Sequence, residues 1–171
     1  MRLYLVRHTE PTLAGRFIGR TDPPLSENGR LQAEALRTLE VEHVYVSPLK
    51  RAQETAAFIT SPRTTLEELA ELHFGEWEGL TWAEIAARDP ELAERKLANW
   101  FAEPAPNGET LEELMNRLRR VLHLIQGSGH TQVAIVAHAV VNGALRSLMS
   151  GGDPASYRQQ YGEIVEIEEA G

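Results

Sequence analysis

With 171 residues, 42% of them hydrophobic and 25% charged, the chain has the length and composition of one globular domain with a full core, expected to run over residues 1–171. The absence of cysteine excludes disulfides, thiolate catalysis and cysteine metal sites, and it fits a cytoplasmic setting. A net charge of −8 with no basic stripe argues against nucleic-acid binding.

The charge is unevenly spread. Residues 1–63 carry nine Lys and Arg against seven Asp and Glu, whereas residues 64–171 carry eight against eighteen. If Arg7, Arg16, Arg20 and Arg51 converge, they form a local positive pocket for a small anion on an acidic protein. After Met1-Arg2 only four apolar residues precede Arg7, so no secretory signal is expected. The stretch Val133–Val141 is interrupted by His138 and is too short to span a bilayer, so no membrane partner is expected.

In chain order, the continuous apolar run Leu3–Val6 predicts a buried strand. Pro11–Pro24 is irregular, broken by Gly15, Gly19 and Pro23-Pro24. Ser26 caps a helix to about Leu39, with Leu31, Ala35, Leu36 and Leu39 on one face. His43–Val46 is a second strand. Ser47-Pro48 then reads as an N-cap serine with proline at the first helical position, opening a helix to about Ile59. Thr64–Leu66 is a short third strand, and Leu69–Gly79 reads as loop. Thr81–Arg88 and Glu91–Phe101 are helical pieces split by Asp89-Pro90.

Thr110–Gln126 is the clearest amphipathic helix, with Leu111, Leu114, Leu118, Val121, Leu122 and Ile125 at helical spacing. Gln132–Ala137 is a strong strand, Val140–Met149 a helix, and Glu163–Glu168 an edge strand. Gly127-Ser128-Gly129 ends a helix and precedes a strand, the order of a C-cap and not of a phosphate loop. Such alternation predicts an α/β fold with helices on both faces of a mostly parallel sheet.

Two strand ends look alike. One closes Leu5-Val6-Arg7-His8 and the other Ile135-Val136-Ala137-His138. In open α/β sheets, ligands bind outside the C-terminal ends of the strands. If the two strands are neighbours, both imidazoles face one crevice. Arg51 lies in the first turn of the helix after Ser47-Pro48, where the helix N-terminus also favours an anion and a planar guanidinium can hold phosphate oxygens. His73, His43, His123 and His130 read as structural or surface residues. Trp77, Trp82 and Trp100 read as packing residues that can also line a substrate mouth.

Four segments carry a resemblance to the histidine phosphatase superfamily, the phosphoglycerate-mutase-like phosphatases. They are Leu5-Val6-Arg7-His8-Thr9-Glu10; Ser47-Pro48-Leu49-Lys50-Arg51-Ala52-Gln53-Glu54-Thr55; Glu71-Leu72-His73-Phe74-Gly75-Glu76-Trp77-Glu78-Gly79; and Val136-Ala137-His138-Ala139. They occur in the family's order and span most of the chain. The resemblance implies a three-layer α/β/α sandwich and a phosphomonoesterase acting through a phosphohistidine.

His8 would be the nucleophile, Arg7, Arg51 and His138 would hold the phosphoryl oxygens, and Glu71 would be the proton donor, with Glu76 and Glu78 as competitors. Substrate contacts are also expected at Thr9, Gly19 and Arg20. No metal and no other cofactor is implied. Two usual glycines are replaced, by Thr9 and Ala139, and an asparagine common after the first motif is missing near Ala14. Thr9 either brings a hydroxyl to the phosphate or merely accepts the backbone angles.

Gly19-Arg20-Thr21-Asp22-Pro23-Pro24-Leu25-Ser26 and Phe74-Gly75-Glu76-Trp77-Glu78-Gly79 resemble the alpha-ribazole phosphatases of cobalamin synthesis. Broad-specificity phosphatases share these strings. Thr81-Trp82 stands where a mutase would carry a basic residue, which favours a phosphatase over a phosphoglycerate mutase. The other class of reading is a phosphate-binding module without catalysis. The partner implied is a small phosphomonoester; a homodimer is permitted by the edge strand but not required.

Overall fold

The computed structural model describes residues 1–168; the last three residues of the expected domain lie outside it. In chain order the elements are β1 (Arg2–Arg7), α1 (Glu27–Ala33), β2 (His43–Val46), α2 (Lys50–Ala56), β3 (Arg63–Thr65), α3 (Trp82–Arg88), α4 (Pro90–Ala98), α5 (Leu111–Gln126), β4 (Gln132–Ala137), α6 (Ala139–Ser150) and β5 (Ile164–Glu168). Short 3₁₀ turns cover Glu34–Thr38, Glu67–Leu69, Gly75–Trp77 and Pro154–Ser156.

The five strands form one sheet in the order β3-β2-β4-β1-β5. Four run parallel, and β5 pairs antiparallel with β1 at an edge. Alternation along the strands sends side chains to two faces. Leu3, Leu5, Val133 and Ile135 join a core with Leu114, Leu118, Ile125 and Leu145. Val6, Val44, Val46, Ala134 and Val136 pack with Leu36, Ala52, Ala56 and Ile59 on the other side. The result is the expected α/β/α sandwich. A fully buried leucine or valine stabilises it by roughly 1.5–3 kcal/mol.

Several helix ends follow local chemistry. Thr81 and Thr110 each form a capping box, with Glu84 and Glu113 respectively. Asp89 caps α4, whose first residue is Pro90. Ser26 accepts from the Gly29 N–H at 2.9 Å and starts α1 as expected.

Three expectations are corrected. The inward face of the first helix is Gly29, Ala33 and Leu36, while Leu31 is 69% exposed. Gly29 packs directly on the Glu10 main chain, where a Cβ would stand 2.1 Å from the carbonyl oxygen, and the tighter 3₁₀ winding from Glu34 rotates the later residues. The second helix runs only from Lys50 to Ala56, and Leu49, not Ser47, is its N-cap. The Ser47 hydroxyl still accepts from the Leu49 N–H at 3.3 Å and also meets His138, as described below. The third strand is shifted one residue earlier, to Arg63–Thr65.

Candidate active site

Strands β1 and β4 are parallel neighbours with Arg7 opposite Ala137. The residue after each strand therefore emerges at the same level, and the His8 N–H extends the ladder to the Ala137 carbonyl at 2.9 Å. The two imidazoles come to 5.1 Å between ring centroids, tilted by 57°. Both are buried.

The protonation of His8 follows from its partners. Its Nδ1 lies 2.7 Å from the Thr9 carbonyl oxygen, which can only accept, so Nδ1 carries the proton. Nε2 is then left with the lone pair. Burial first, and the Arg51 and Arg7 charges after it, lower the His8 pKa to about 3, so the ring is neutral near pH 7. Burial and Arg51 likewise push His138 well below the usual histidine value. His138 Nε2 meets the Ser47 hydroxyl at 2.7 Å, while its Nδ1 is buried without a partner.

Arg51 is fully buried, with no carboxylate in direct contact among the described residues. Its guanidinium donates to the carbonyls of Thr21 at 2.9 Å, Ile18 at 2.8 Å and Gly19 at 3.0 Å. These carbonyls converge because the Glu78 carboxylate draws the opposite side of the same chain. It accepts from the N–H groups of Gly19, Arg20, Thr21 and Phe74 and from the Thr21 hydroxyl. Arg7 donates to the Gln159 carbonyl and lies 4.1 Å from the centre of the Tyr161 ring. Tyr161 also stands 5.6 Å from the His8 ring. The Nε atoms of both arginines are buried without partners.

Glu71 is buried, and that burial raises its pKa above the usual carboxylate range. Its oxygens accept from the N–H groups of Leu72 at 2.8 Å, Val140 at 3.2 Å and Val141 at 3.3 Å. Its two competitors are placed differently. Glu78 is engaged by the loop of residues 19–21, and Glu76 accepts from the Asn107 amide on the exposed surface.

The remaining expected contacts are not all drawn into this cluster. Thr9 is buried, with its N–H and hydroxyl both directed to the Thr55 hydroxyl, at 3.1 Å and 3.2 Å, so it ties the end of β1 to α2. Its φ is not positive, so the usual glycine is not needed for the backbone. Gly19 packs behind Arg51; a Cβ there would lie 2.0 Å from the Leu72 carbonyl oxygen. Arg20 is exposed and held through its backbone, and Arg16 leaves the cluster for the Gly79 carbonyl and Glu84. The N–H of Lys50 that opens α2 is taken by Asp22 at 2.7 Å. His73 accepts at Nδ1 from the Gly75 N–H, a structural role.

A cavity of about 850 Å³ opens beside Arg7, Ala139 and Val140. Phe17, Trp100, Tyr157, Lys96 and Arg158 are among its walls. Phe17 lies within 5.2–6.2 Å, centroid to centroid, of Phe74, Trp77, Trp82 and Trp100. Lys96 lies 4.7 Å from the centre of the Trp100 ring, and burial lowers its pKa to about 8. Sequence reasoning passed over Phe17, Lys96, Gln159 and Tyr161, because none stands in a motif.

A neutral imidazole beside the buried Arg51 guanidinium and the partly buried Arg7, at the C-terminal ends of parallel strands, can receive a tetrahedral oxyanion. The model of the histidine phosphatase superfamily (branch 1) matches residues 3–169, and the chain belongs to that family. It is 37% identical over 172 residues to a bifunctional protein of Mycobacterium tuberculosis, covering 92% of this chain and 46% of that protein. The chain thus spans about half the length of that relative. It is 33% identical over 149 residues to the adenosylcobalamin/alpha-ribazole phosphatase of Salmonella typhimurium, covering 81% of this chain and 74% of the relative. The crystal structure of the alpha-ribazole phosphatase from Shigella flexneri superposes with a TM-score of 0.86 at 27% identity, covering 98% and 90% of the two chains. Among the described residues no helix is long and apolar enough to cross a membrane.

Proposed function

We propose that the chain is a phosphomonoesterase that works through a phosphohistidine on His8. The observation that carries this reading is a set of buried nitrogens without partners among the described residues, Arg7 Nε, Arg51 Nε and His138 Nδ1, on the residues whose ring or charge acts on His8, whose Nε2 holds a lone pair. Buried polar groups ordinarily find partners, and three phosphoryl oxygens would supply them.

The chemistry runs in two steps. His8 Nε2 attacks phosphorus as the bond to the leaving oxygen breaks. A neutral nucleophile avoids repulsion from the phosphate dianion, and Thr9 keeps the proton on Nδ1 throughout. Arg7, Arg51 and His138 hold the phosphoryl oxygens, each charge-assisted hydrogen bond contributing about 1.5–3 kcal/mol. Glu71, whose burial favours the protonated form, gives its proton to the leaving alkoxide, which is worth about 10²–10⁴ in rate. Its carboxylate then takes a proton from water, whose oxygen attacks phosphorus and frees His8 and inorganic phosphate. The guanidiniums supply the positive charge, so the reaction needs no metal. Thr9, Gly19 and Arg20 support this cage from behind and from its rim.

For the substrate, we infer a phosphomonoester with a bulky leaving group. Alpha-ribazole 5′-phosphate is the leading candidate, on the likeness to alpha-ribazole phosphatases and on an aromatic-walled cavity of about 850 Å³. Broad specificity is the second reading, because relatives named for different substrates match about equally: phosphoserine phosphatase 1 of Hydrogenobacter thermophilus is 32% identical over 172 residues, covering 92% of this chain and 80% of that one, beside 33% for the alpha-ribazole phosphatase. A kinetic panel of alpha-ribazole 5′-phosphate, phosphoserine, 3-phosphoglycerate and p-nitrophenyl phosphate tests both. A kcat/KM for alpha-ribazole 5′-phosphate no higher than for the generic esters removes the specific reading. No phosphate release from any ester by folded protein across pH 4–9 leaves a phosphate-binding module.

A further inference from the structure

We propose that Arg117 and Glu109 are positioning residues for the proton donor, an ion pair that grips the main chain on both sides of Glu71 and fixes where its carboxyl can act. This inference rests on the assignment of Glu71 as proton donor.

Arg117 interrupts the apolar stripe of α5. It stands three residues after Leu114 and four before Val121, both buried, and is itself buried. Its partner is Glu109, just before the helix. The pair is bidentate, Nε to Oε1 at 2.6 Å and Nη2 to Oε2 at 2.9 Å, with side chains only 10% and 11% exposed. Removing one partner of such a pair is costly, yet an apolar pair of similar size often serves stability as well. Stability alone therefore gives little reason for burying two charges here.

The outward contacts of the pair supply a reason. Arg117 Nη1 donates to the Glu68 carbonyl, and Nη2 approaches the Glu71 carbonyl at 3.4 Å. Glu109 Oε2 accepts from the His73 N–H at 3.1 Å, and the Glu109 N–H donates to the His73 carbonyl at 2.8 Å. The main chain is thus held at 68, at 71 and at 73. The Glu71 carboxyl is held separately, by the N–H groups of Leu72, Val140 and Val141. One set of contacts anchors the base of this side chain and another its tip. Residues 66–80 hold no α-helix or strand that would otherwise fix that base.

Leaving-group dependence separates positioning of the acid from a merely structural role. p-Nitrophenolate departs without a proton, whereas the alkoxide of glycerol 2-phosphate does not. The wild type is compared with Glu71→Gln, with the double variant Arg117→Met/Glu109→Leu, and with Arg117→Lys, which keeps the charge but loses the fork. Glu71→Gln is expected to lower kcat on glycerol 2-phosphate by about 10²–10⁴-fold and on p-nitrophenyl phosphate far less. Both pair variants are expected to repeat that selectivity, losing about 10- to 100-fold on the alkyl ester, in keeping with a sub-ångström to 1 Å misplacement. Equal losses on both esters in folded variants, or no loss, overturn the inference. If the double variant does not fold, Arg117→Lys alone decides it. If Glu71→Gln itself slows both esters equally, the proton-donor assignment fails and this inference falls with it.

Discussion

The rings of His8 and His138 lie 5.1 Å apart although 129 residues separate them in the chain, and neither has a carboxylate partner among the described residues. Two imidazoles that close, beside Arg7 and Arg51, stay uncharged in the folded protein. In the unfolded chain each takes up a proton below about pH 6.5. Their contribution is therefore fully present above pH 6.5 and is lost as the pH falls below it, for His8 down to about 3. Each costs up to about 1.4 kcal/mol per pH unit in that window. Glu71 has the opposite sign: its folded pKa is raised, so its contribution is present at low pH and lost as pH rises through that value. With two histidines against one carboxyl, the urea midpoint is expected to fall between pH 7 and pH 5, and His8→Asn to fall less steeply. Identical slopes for the two proteins contradict this account of His8.

Replacing His8 by alanine is expected to lower turnover by about 10³-fold or more, since the covalent route is lost. Acid-labile, base-stable label from a ³²P-phosphomonoester is expected on quenched wild type and absent from His8→Ala. Near-normal turnover by His8→Ala eliminates it as nucleophile.

Glu78 organises Arg51 without touching it, by drawing the N–H groups of Gly19, Arg20 and Thr21 to one side so that the carbonyls of Ile18, Gly19 and Thr21 face the guanidinium on the other. Glu78→Ala leaves those donors without their acceptor, at about 1–3 kcal/mol for each that stays dry. Lower thermal stability is expected together with a raised KM. Gly19→Ala is expected to act alike, because its Cβ would meet the Leu72 carbonyl oxygen at 2.0 Å. Unchanged KM in a destabilised Glu78→Ala protein would separate this loop from substrate binding.

Gln159 is buried, donates to the carbonyls of Leu5 and Glu163 at 2.7 Å each, and accepts from Asn142 at 2.9 Å. Its own carbonyl receives Arg7, and Tyr161 follows two residues on. Gln159→Leu keeps the volume and strands the Asn142 amide and the carbonyls it served. We expect a loss of about 1–3 kcal/mol in stability and weaker competitive inhibition by inorganic phosphate, since the segment whose main-chain carbonyl receives Arg7 loses its side-chain anchors. Unaltered phosphate inhibition in the folded variant would leave Gln159 as packing only.

The fold was largely legible in the sequence, because buried strands and capped helices write themselves locally. Leu3–Val6 and Gln132–Ala137 are apolar runs with no alternative use, and Thr110 with Glu113 marks a helix start by short-range hydrogen bonding. Where the reading slipped, a distant contact overrode the local one. Ser47 looks like a helix cap, but the helix opens only at Lys50, and the hydroxyl is shared between the Leu49 N–H and His138, 91 residues on. Leu31 looks like core until Gly29 docks on Glu10. Arg117 carried a signal that went unused, a charge inside the apolar stripe of α5.

The sequence by itself determined the sandwich and brought Arg7, His8, Arg51 and His138 forward as candidates from strand ends and a helix start, which are properties of neighbouring residues, while Glu71 came forward only through the family resemblance. Only the tertiary structure decided that β1 and β4 are adjacent, which juxtaposes the two imidazoles. It also decided which glutamate is buried beside them, what Thr9 bonds to, and that Tyr161 and Gln159 complete the surroundings of Arg7. Protonation and charge depend on burial and on neighbours across the sheet, and these are set by packing between residues far apart in the chain.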